Sequence, residues 1–209
     1  MKSLPRFLAG AALAASALFL ASCGSTTTPK NAPGNSFAFD PPAKAVTNPS
    51  AVRVAISLNS NCLYVVEGDK VLLATPAGVG RAATPTPKGT FPIRSKTKFR
   101  RRQSSPGAGY PMTYWMSFYS PAYGMHWGFI KPYPCTAGCI RLPLKSARKV
   151  FNMVRVGTKV NVANSQPWDS TIGASLPRLD DTPLPNPPLS YMKSNKVFED
   201  AEQGKMWNF

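Results

Sequence analysis

Residues 124–141 decide how this chain is interpreted, and they read GMHWGFIKPYPCTAGCIR. The stretch holds the single histidine of the chain, His126, and a cysteine, Cys139, thirteen residues later. Considered singly, each residue is more often structural: a small buried thiol, or a hydrogen-bonded imidazole. A thiol nucleophile also needs a general base, however, and any Cys–His pair in this chain must use His126.

The residues around Cys139 favour a nucleophile. Gly138 leaves space for a substrate and tolerates unusual backbone angles. Backbone N–H groups at this point could stabilise an oxyanion. Arg141 adds a positive charge, which favours the thiolate form of a nearby cysteine.

The charge distribution excludes several kinds of active site. The chain has 25 Lys and Arg against 9 Asp and Glu, a formal net charge of +16, and residues 70–168 contain no acidic residue. This excludes from that stretch a paired-carboxylate glycosidase site, an oxygen-ligand Mg²⁺ or Ca²⁺ cage and a multi-histidine metal site. We therefore expect a site built from His, Cys, hydroxyl, basic and backbone groups, with no metal and no cofactor.

Hydrophobic patterning predicts a mainly β domain with one main helix. Residues 52–58 alternate with a period near two, and residues 63–73 predict two strands around the turn at 67–69. Over 144–154, apolar residues recur at i, i+3, i+4 and i+7, which is typical of an amphipathic helix. A final strand is predicted over 158–162.

Four motifs in order resemble the L,D-transpeptidase (YkuD-like) catalytic domain. They are TPKGTFPI at 86–93, YPMTYWM at 110–116, the His126-x-Gly128 pair and the run TAGCIR at 136–141. The resemblance covers roughly residues 52–162. It departs at Ala137, where many members carry a second histidine, so this chain has no reserve base.

The resemblance implies a β-sandwich of two sheets with one main helix at about 144–154, and acyl transfer on peptidoglycan stem peptides. Cys139, deprotonated by His126, would attack the carbonyl that precedes a terminal D-Ala and form a thioester. An amine from a second stem would then give a cross-link. Water as the acceptor would make the protein an L,D-carboxypeptidase instead.

The resemblance also implies roles for neighbouring residues. The backbone carbonyl of Trp127 would orient His126, and backbone N–H groups near Gly138 would hold the oxyanion. Substrate binding is expected at Arg141, Thr136 and Tyr114, although a core position is about as well favoured for the tyrosine.

The first residues predict export. Lys2 and Arg6 precede an uncharged apolar run over 7–21, which suits a signal peptide at 1–22 and is too short for a membrane-spanning helix. The sequence LASCG at 20–24 resembles a bacterial lipobox, in which Cys23 would be lipidated. Plain secretion is the alternative. We expect a lipid-anchored protein of the bacterial cell envelope, on the periplasm-facing membrane surface if the cell is Gram-negative.

The remaining segments flank the catalytic domain predicted over 52–164. Residues 23–51 are rich in Pro, Ser, Thr and Gly and predict a flexible linker. Residues 165–209 form a Pro-rich extension that either packs back on the domain or engages a partner.

Two features leave alternatives open. The basic run KTKFRRR at 96–102 would attract cell-wall carboxylates, phosphate polymers or anionic lipid head groups, or form a solvated loop. The predicted export argues against a nucleic-acid partner, and we expect none. Cys135 could pair with Cys62, oxidise with Cys139 or remain a free thiol.

Two other protein classes are alternatives to the favoured interpretation. A sortase-like transpeptidase also orders His, Cys and Arg, but with longer spacings and without the segment at 86–93. A non-catalytic wall-binding lipoprotein would result if the site had decayed.

Overall fold

The computed structural model of the protein describes Met1 and residues 34–105 and 107–205. The strands are Val52–Ser57 (β1), Cys62–Glu67 (β2), Lys70–Pro76 (β3), Gly89–Pro92 (β4), Ser95–Arg101 (β5), Pro111–Ser117 (β6), Gly124–Trp127 (β7), Ile140–Leu142 (β8) and Lys159–Ala163 (β9). The helices are Leu144–Met153 (α1), Leu189–Lys193 (α2) and Lys196–Glu202 (α3), with a 3-10 turn at Gly173–Ser175.

The strands form two sheets, which confirms the predicted mainly β fold. One sheet has five strands in the order β3-β2-β1-β9-β4, and the other has four in the order β5-β6-β7-β8. Neighbouring strands are antiparallel except for β1 with β9 and β7 with β8. The predicted strands at 52–58, 63–73 and 158–162 are confirmed as β1, β2 with β3, and β9.

Buried apolar side chains from both sheets and from α1 meet in one core, because each element has its apolar residues on one face. Members of this core include Val54, Ile56, Val65, Met116, Met125, Ile140, Leu142, Ala147 and Val150. The predicted helix is confirmed as α1. It ends where Lys96 of β5 donates hydrogen bonds to the carbonyl oxygens of Phe151 and Val154, at 2.6 and 2.5 Å. A cation at this end also complements the helix dipole.

Most of the basic run is a strand, so the alternative of a loop is wrong, although several of its side chains are exposed. Its residues 96–101 belong to β5, which pairs with β6 along its length. Alternate side chains of a strand point to opposite faces, and the basic side chains are therefore divided between different surroundings.

The C-terminal extension packs back on the domain, and it supplies two helices that the sequence did not predict. Tyr191 and Met192 of α2 and Val197, Phe198 and Ala201 of α3 are buried in the main core. Both helices are short and follow a Pro-rich tract, so neither offers a long apolar period to detect.

Residues 36–51 pack against the domain instead of forming the expected linker. Lys44 N–H donates to the carbonyl oxygen of Leu72, and Thr47 donates through its backbone and side chain to Glu67. The predicted signal peptide and Cys23 lie outside the described residues. Within the described ranges, no helix has the length and apolar character to cross a membrane.

Asp181 joins three distant segments through one buried carboxylate. It accepts hydrogen bonds from the Ser36 N–H and hydroxyl and from the Ile130 N–H, each at 2.7 Å. Asp181 N–H in turn donates to the carbonyl oxygen of Ile130 at 2.9 Å. The contact ties the N-terminal segment and the C-terminal extension to the loop between β7 and β8.

Replacing Asp181 by alanine should lower the free energy of unfolding by about 3 kcal/mol, because buried donors lose their acceptor. Urea unfolding followed by circular dichroism would measure this loss. Asp180→Ala is the matched control, since that residue is partly exposed to solvent and the hydrogen bonds of its carboxylate are local ones with Thr182. Equal losses in the two variants would contradict the assigned role of Asp181.

Candidate active site

Strand pairing brings His126 and Cys139 to one place. β7 and β8 run parallel with His126 opposite Arg141, and Cys139 immediately precedes β8. Residues two apart on a strand share a face, so Gly124 and His126 lie on the same face as Cys139 and Arg141. Both His126 and Cys139 border one cavity of about 680 Å³.

The imidazole of His126 is held in one tautomer. Its Nδ1 lies 2.5 Å from the carbonyl oxygen of Trp127. A carbonyl can only accept a hydrogen bond, so Nδ1 carries the proton and donates it. Nε2 of the neutral ring is then an acceptor, which is the form that a general base requires.

The surroundings of His126 keep it neutral. The side chain is buried, and the Trp115 ring lies at a centroid distance of 5.8 Å. Burial, followed by the charge of Arg141, lowers the pKa of His126 from 6.5 to about 4; Arg100 acts in the same direction and the Trp127 carbonyl opposes it. The imidazole is therefore in its neutral form at neutral pH, with one proton on Nδ1.

Burial also keeps Cys139 in its neutral form. It raises the thiol pKa, while a backbone hydrogen bond from Gly124 and the charges of Arg141, Arg102 and Arg100 act to lower it. Arg141 thus has the effect expected from the sequence, but desolvation outweighs it. At rest, the thiol and the imidazole that border this cavity are both neutral, and the thiol lies 3.5 Å from the carbonyl oxygen of Ala122.

Gly138 allows a tight approach beside the cysteine. Its φ of +107° lies in the region that favours glycine, and a Cβ there would lie 2.4 Å from a ring carbon of Tyr123. The Gly138 N–H donates to the Thr136 hydroxyl at 3.1 Å, and that hydroxyl donates to the Cys139 carbonyl at 2.6 Å. Thr136 thus braces the turn, and the Gly138 N–H is already engaged.

A second segment forms hydrogen bonds with the loop that carries Cys139, a role that the sequence did not predict. Thr86, from the motif at 86–93, accepts a hydrogen bond from Gly80 N–H and donates one to the Gly138 carbonyl, at 3.0 and 2.9 Å. Gly78 and Arg141 exchange two backbone hydrogen bonds of 2.9 Å. The motif therefore fixes the position of the loop that carries Cys139.

Arg100 and Arg102 of the basic run also border the cavity, together with Arg141. Sequence reasoning treated the run as a general anion attractor and missed them as site residues. The signal that could have found them is the alternation of a strand, once β5 is recognised. Among the described residues that line the cavity, no side chain is acidic.

Tyr114 is not brought to the site. It is buried in the core, at a φ of 58°, with its ring 5.6 Å from that of Phe151. It borders a separate cavity of about 210 Å³. The core interpretation of this aromatic residue therefore agrees with its position.

Cys62, Cys135 and Cys139 are free thiols in the part of the chain that the structure describes. Cys62 is buried in β2, and its thiol donates to the Ser60 carbonyl at 3.3 Å. Within residues 34–105 and 107–205, no group of three His, Cys, Asp or Glu side chains could hold a metal.

The single histidine makes its protonation directly measurable. We expect the imidazole C–H resonances in an NMR titration of the folded protein to have a midpoint near pH 4, because burial and Arg141 disfavour the imidazolium. The urea-unfolded chain provides the control, with a midpoint near 6.5. A folded-state midpoint at the unfolded value would show that the ring is solvated.

The same shift has a consequence for stability. Below about pH 6.5 the unfolded chain binds a proton that the folded chain excludes. Titration of His126 therefore does not reduce the free energy of unfolding above about pH 6.5. Below that pH, the free energy of unfolding decreases as the pH falls toward 4.

Comparison with known proteins agrees with the fold and the motif order. The family model of the YkuD L,D-transpeptidase catalytic domain matches residues 51–162. The YkuD protein of Bacillus licheniformis is 32% identical over 123 residues, which cover 56% of this chain and 70% of the relative. The YkuD protein of Bacillus subtilis is 30% identical over 113 residues, which cover 52% of this chain and 64% of that relative.

Two solved structures share the fold. The L,D-transpeptidase from Stackebrandtia nassauensis has a TM-score of 0.50 at 22% identity, over 60% of each chain. The Ldtfm–avibactam carbamoyl enzyme has a TM-score of 0.50 at 28% identity, over 56% of this chain and 50% of the other. The chain thus spans 60% and 50% of the length of these two neighbours. The family model matches more than half of the residues of this chain, so the chain belongs to the YkuD family of L,D-transpeptidase catalytic domains.

Proposed function

We propose that the protein is a cysteine-dependent L,D-transpeptidase that acts on peptidoglycan stem peptides, with Cys139 as nucleophile and His126 as general base. The observation that carries the proposal is the hydrogen bond from His126 Nδ1 to the Trp127 carbonyl. It leaves Nε2 of His126 unprotonated, and His126 and Cys139 line the same cavity. Membership of the family supplies the class of substrate.

The first step is proton transfer coupled to attack. Because the resting thiol and imidazole are both neutral, His126 Nε2 takes the thiol proton as the sulfur adds to the carbonyl carbon. The carbonyl is the one that joins a diamino acid to the terminal D-Ala. Three arginines at the cavity favour the negative charge that develops on sulfur and oxygen.

The oxyanion is held by backbone. The Gly138 N–H donates to Thr136, so the Cys139 N–H is the donor that we assign to the oxyanion. When the intermediate collapses, the imidazolium returns its proton to the departing D-Ala nitrogen, and the acyl group remains on sulfur as a thioester.

The second step reverses the first with a new amine. The amine of a second stem attacks the thioester carbonyl, His126 accepts its excess proton, and the thiol is regenerated. The energy of the original peptide bond is retained in the thioester, so no ATP is needed. Water in place of the amine would release a shortened stem, as an L,D-carboxypeptidase does.

Cys139→Ala and His126→Ala should each reduce release of D-Ala from a tetrapeptide stem to background, since no other cysteine or histidine is among the described residues that line the cavity. Chromatography of the products would measure the loss. Cys135→Ala is the matched control, because it removes a free thiol four residues from the nucleophile.

An inhibitor gives a second measurement of the same pair. A relative with the same fold is known as an avibactam carbamoyl enzyme. We therefore expect avibactam to add covalently to the wild-type protein and to Cys135→Ala, but not to Cys139→Ala, in intact-protein mass spectra. Normal turnover by either alanine variant of the catalytic pair would refute the assignment.

We also propose that the protein is exported and anchored to a membrane through lipid on Cys23. The supporting observation is the sequence of residues 1–24, with basic residues, an apolar run and LASC in order. Several acyl chains on one residue give firm anchoring, because each buried CH₂ contributes about 0.8 kcal/mol. The wall is the polymer that such an anchor would bring within reach.

Cys23→Ala should move the protein from the membrane fraction to the soluble fraction of lysed cells. Immunoblots of separated fractions would measure the shift, and Cys62→Ala, another single-cysteine change, should stay with the membrane. Recovery of the wild-type protein in the soluble fraction would refute lipid anchoring.

A further inference from the structure

The three arginines at the end of the basic run, Arg100 and Arg101 at the end of β5 and Arg102 just after it, have different surroundings. Arg100 and Arg102 border the cavity that contains Cys139. Arg101, between them, donates to the carbonyl oxygens of Gly109, Met192 and Ser194 at 2.8–2.9 Å. Arg101 therefore stabilises the fold, while its two neighbours are directed to the site.

Among the described residues, Arg100 and Arg102 each make few side-chain contacts with the protein. The guanidinium of Arg100 lies 4.2 Å from the ring centroid of Trp115 and donates one hydrogen bond to the Pro121 carbonyl at 3.3 Å. Arg102 Nε donates to the Ser104 hydroxyl at 2.9 Å. A guanidinium has five N–H donors, so both groups keep donors for a ligand.

No acidic side chain neutralises these charges within the described chain. Its ion pairs join Lys98 to Glu202, Lys145 and Lys149 to Asp40, and Lys196 to Asp200. Arg100, Arg102 and Arg141 take part in none of them. Three guanidinium groups around one concave site, without a carboxylate partner, point to a ligand with several negative charges.

We propose that Arg100 and Arg102 are specificity-determining residues, which select acyl-donor stem peptides that carry free carboxylates in addition to that of the terminal D-Ala. This proposal rests on the proposed function and names its preferred substrate. One terminal carboxylate carries a single negative charge, so it leaves most of the charge of three guanidinium groups unbalanced. Additional carboxylates along the stem would engage the others, whereas a stem with those carboxylates amidated would leave the charges unpaired.

The size of the cavity favours a peptide over an extended anionic surface. The cavity is concave, and its volume of about 680 Å³ is in the range that encloses a small ligand. The charges of Arg102 and Arg100 also act on the reacting sulfur, because both lower the pKa of Cys139 against the effect of burial. Because Arg100, Arg102 and Cys139 line the same cavity, a peptide that binds these arginines occupies the cavity that contains the nucleophile.

The test compares two tetrapeptide stems that differ only in amidation of their internal carboxylates. For the full-length wild-type chain, we expect kcat/KM of D-Ala release to be at least about tenfold higher for the carboxylate peptide, mostly through KM. The double variant Arg100→Gln with Arg102→Gln should lose this preference. Replacing both by lysine should keep part of it, because the charge remains but the paired N–H geometry does not.

Lys159→Gln is the matched control, since it removes one exposed charge from the other sheet. It should leave the preference unchanged. Thermal unfolding would check that the double variant folds, and Arg102→Gln alone is the milder variant because Arg102 makes only one local side-chain hydrogen bond. Equal turnover of the two peptides by the wild type, or a full preference in the double variant, would overturn the proposal.

Binding of both peptides to Cys139→Ala, measured by calorimetry, separates this proposal from the proposed function. If the wild type releases no D-Ala but the carboxylate peptide still binds more tightly and depends on Arg100 and Arg102, the function is wrong and the anion subsite stands. If there is neither turnover nor a binding preference, both are refuted.

Discussion

The arrangement of the site depends on one hydrogen bond, from His126 Nδ1 to the carbonyl of its own neighbour, Trp127. A side chain that orients a histidine is often a carboxylate, which also stabilises the charged imidazolium. A carbonyl fixes the tautomer without adding a negative charge. Burial can then lower the histidine pKa to about 4, and the base stays in its neutral form.

The same burial acts on the cysteine in the opposite direction, and arginines moderate it. Desolvation disfavours the thiolate just as it disfavours the imidazolium, so transfer of a proton between the two creates an ion pair in a poorly solvated place. Arg141, Arg102 and Arg100 lower the cost of the thiolate and raise that of the imidazolium. The two effects partly cancel for the pair, which leaves both groups neutral until a substrate arrives.

Much of the fold could be predicted from periodicity alone. The alternation at 52–58 and the apolar spacing at 144–154 are local patterns, and they correspond to β1 and α1. The hydrogen bonds from Ser36 to Asp181 join residues 145 positions apart, and no local pattern indicates such a contact. The helices α2 and α3 are too short to show a period and depend on burial against the core.

The candidate site, like the fold, could be predicted from the sequence only in part. His126 and Cys139 stand out because the chain has one histidine and a Gly-Cys motif. The functions of Arg100, Arg101 and Arg102 could not be separated, since three consecutive arginines look alike until the strand direction and register are known. Tyr114 was assigned from its motif, but the side chain lies on the core side of β6.

The absence of acidic residues from 70–168 now has a physical reason in both parts of the site. A carboxylate near His126 would raise its pKa and favour a charged imidazole, and a carboxylate near the arginines would occupy the donors that a substrate needs. The residues that line the cavity in the described chain come almost entirely from this stretch. One compositional constraint therefore serves two purposes: it keeps the base neutral, and it keeps the guanidinium groups available for the negative charges of the substrate.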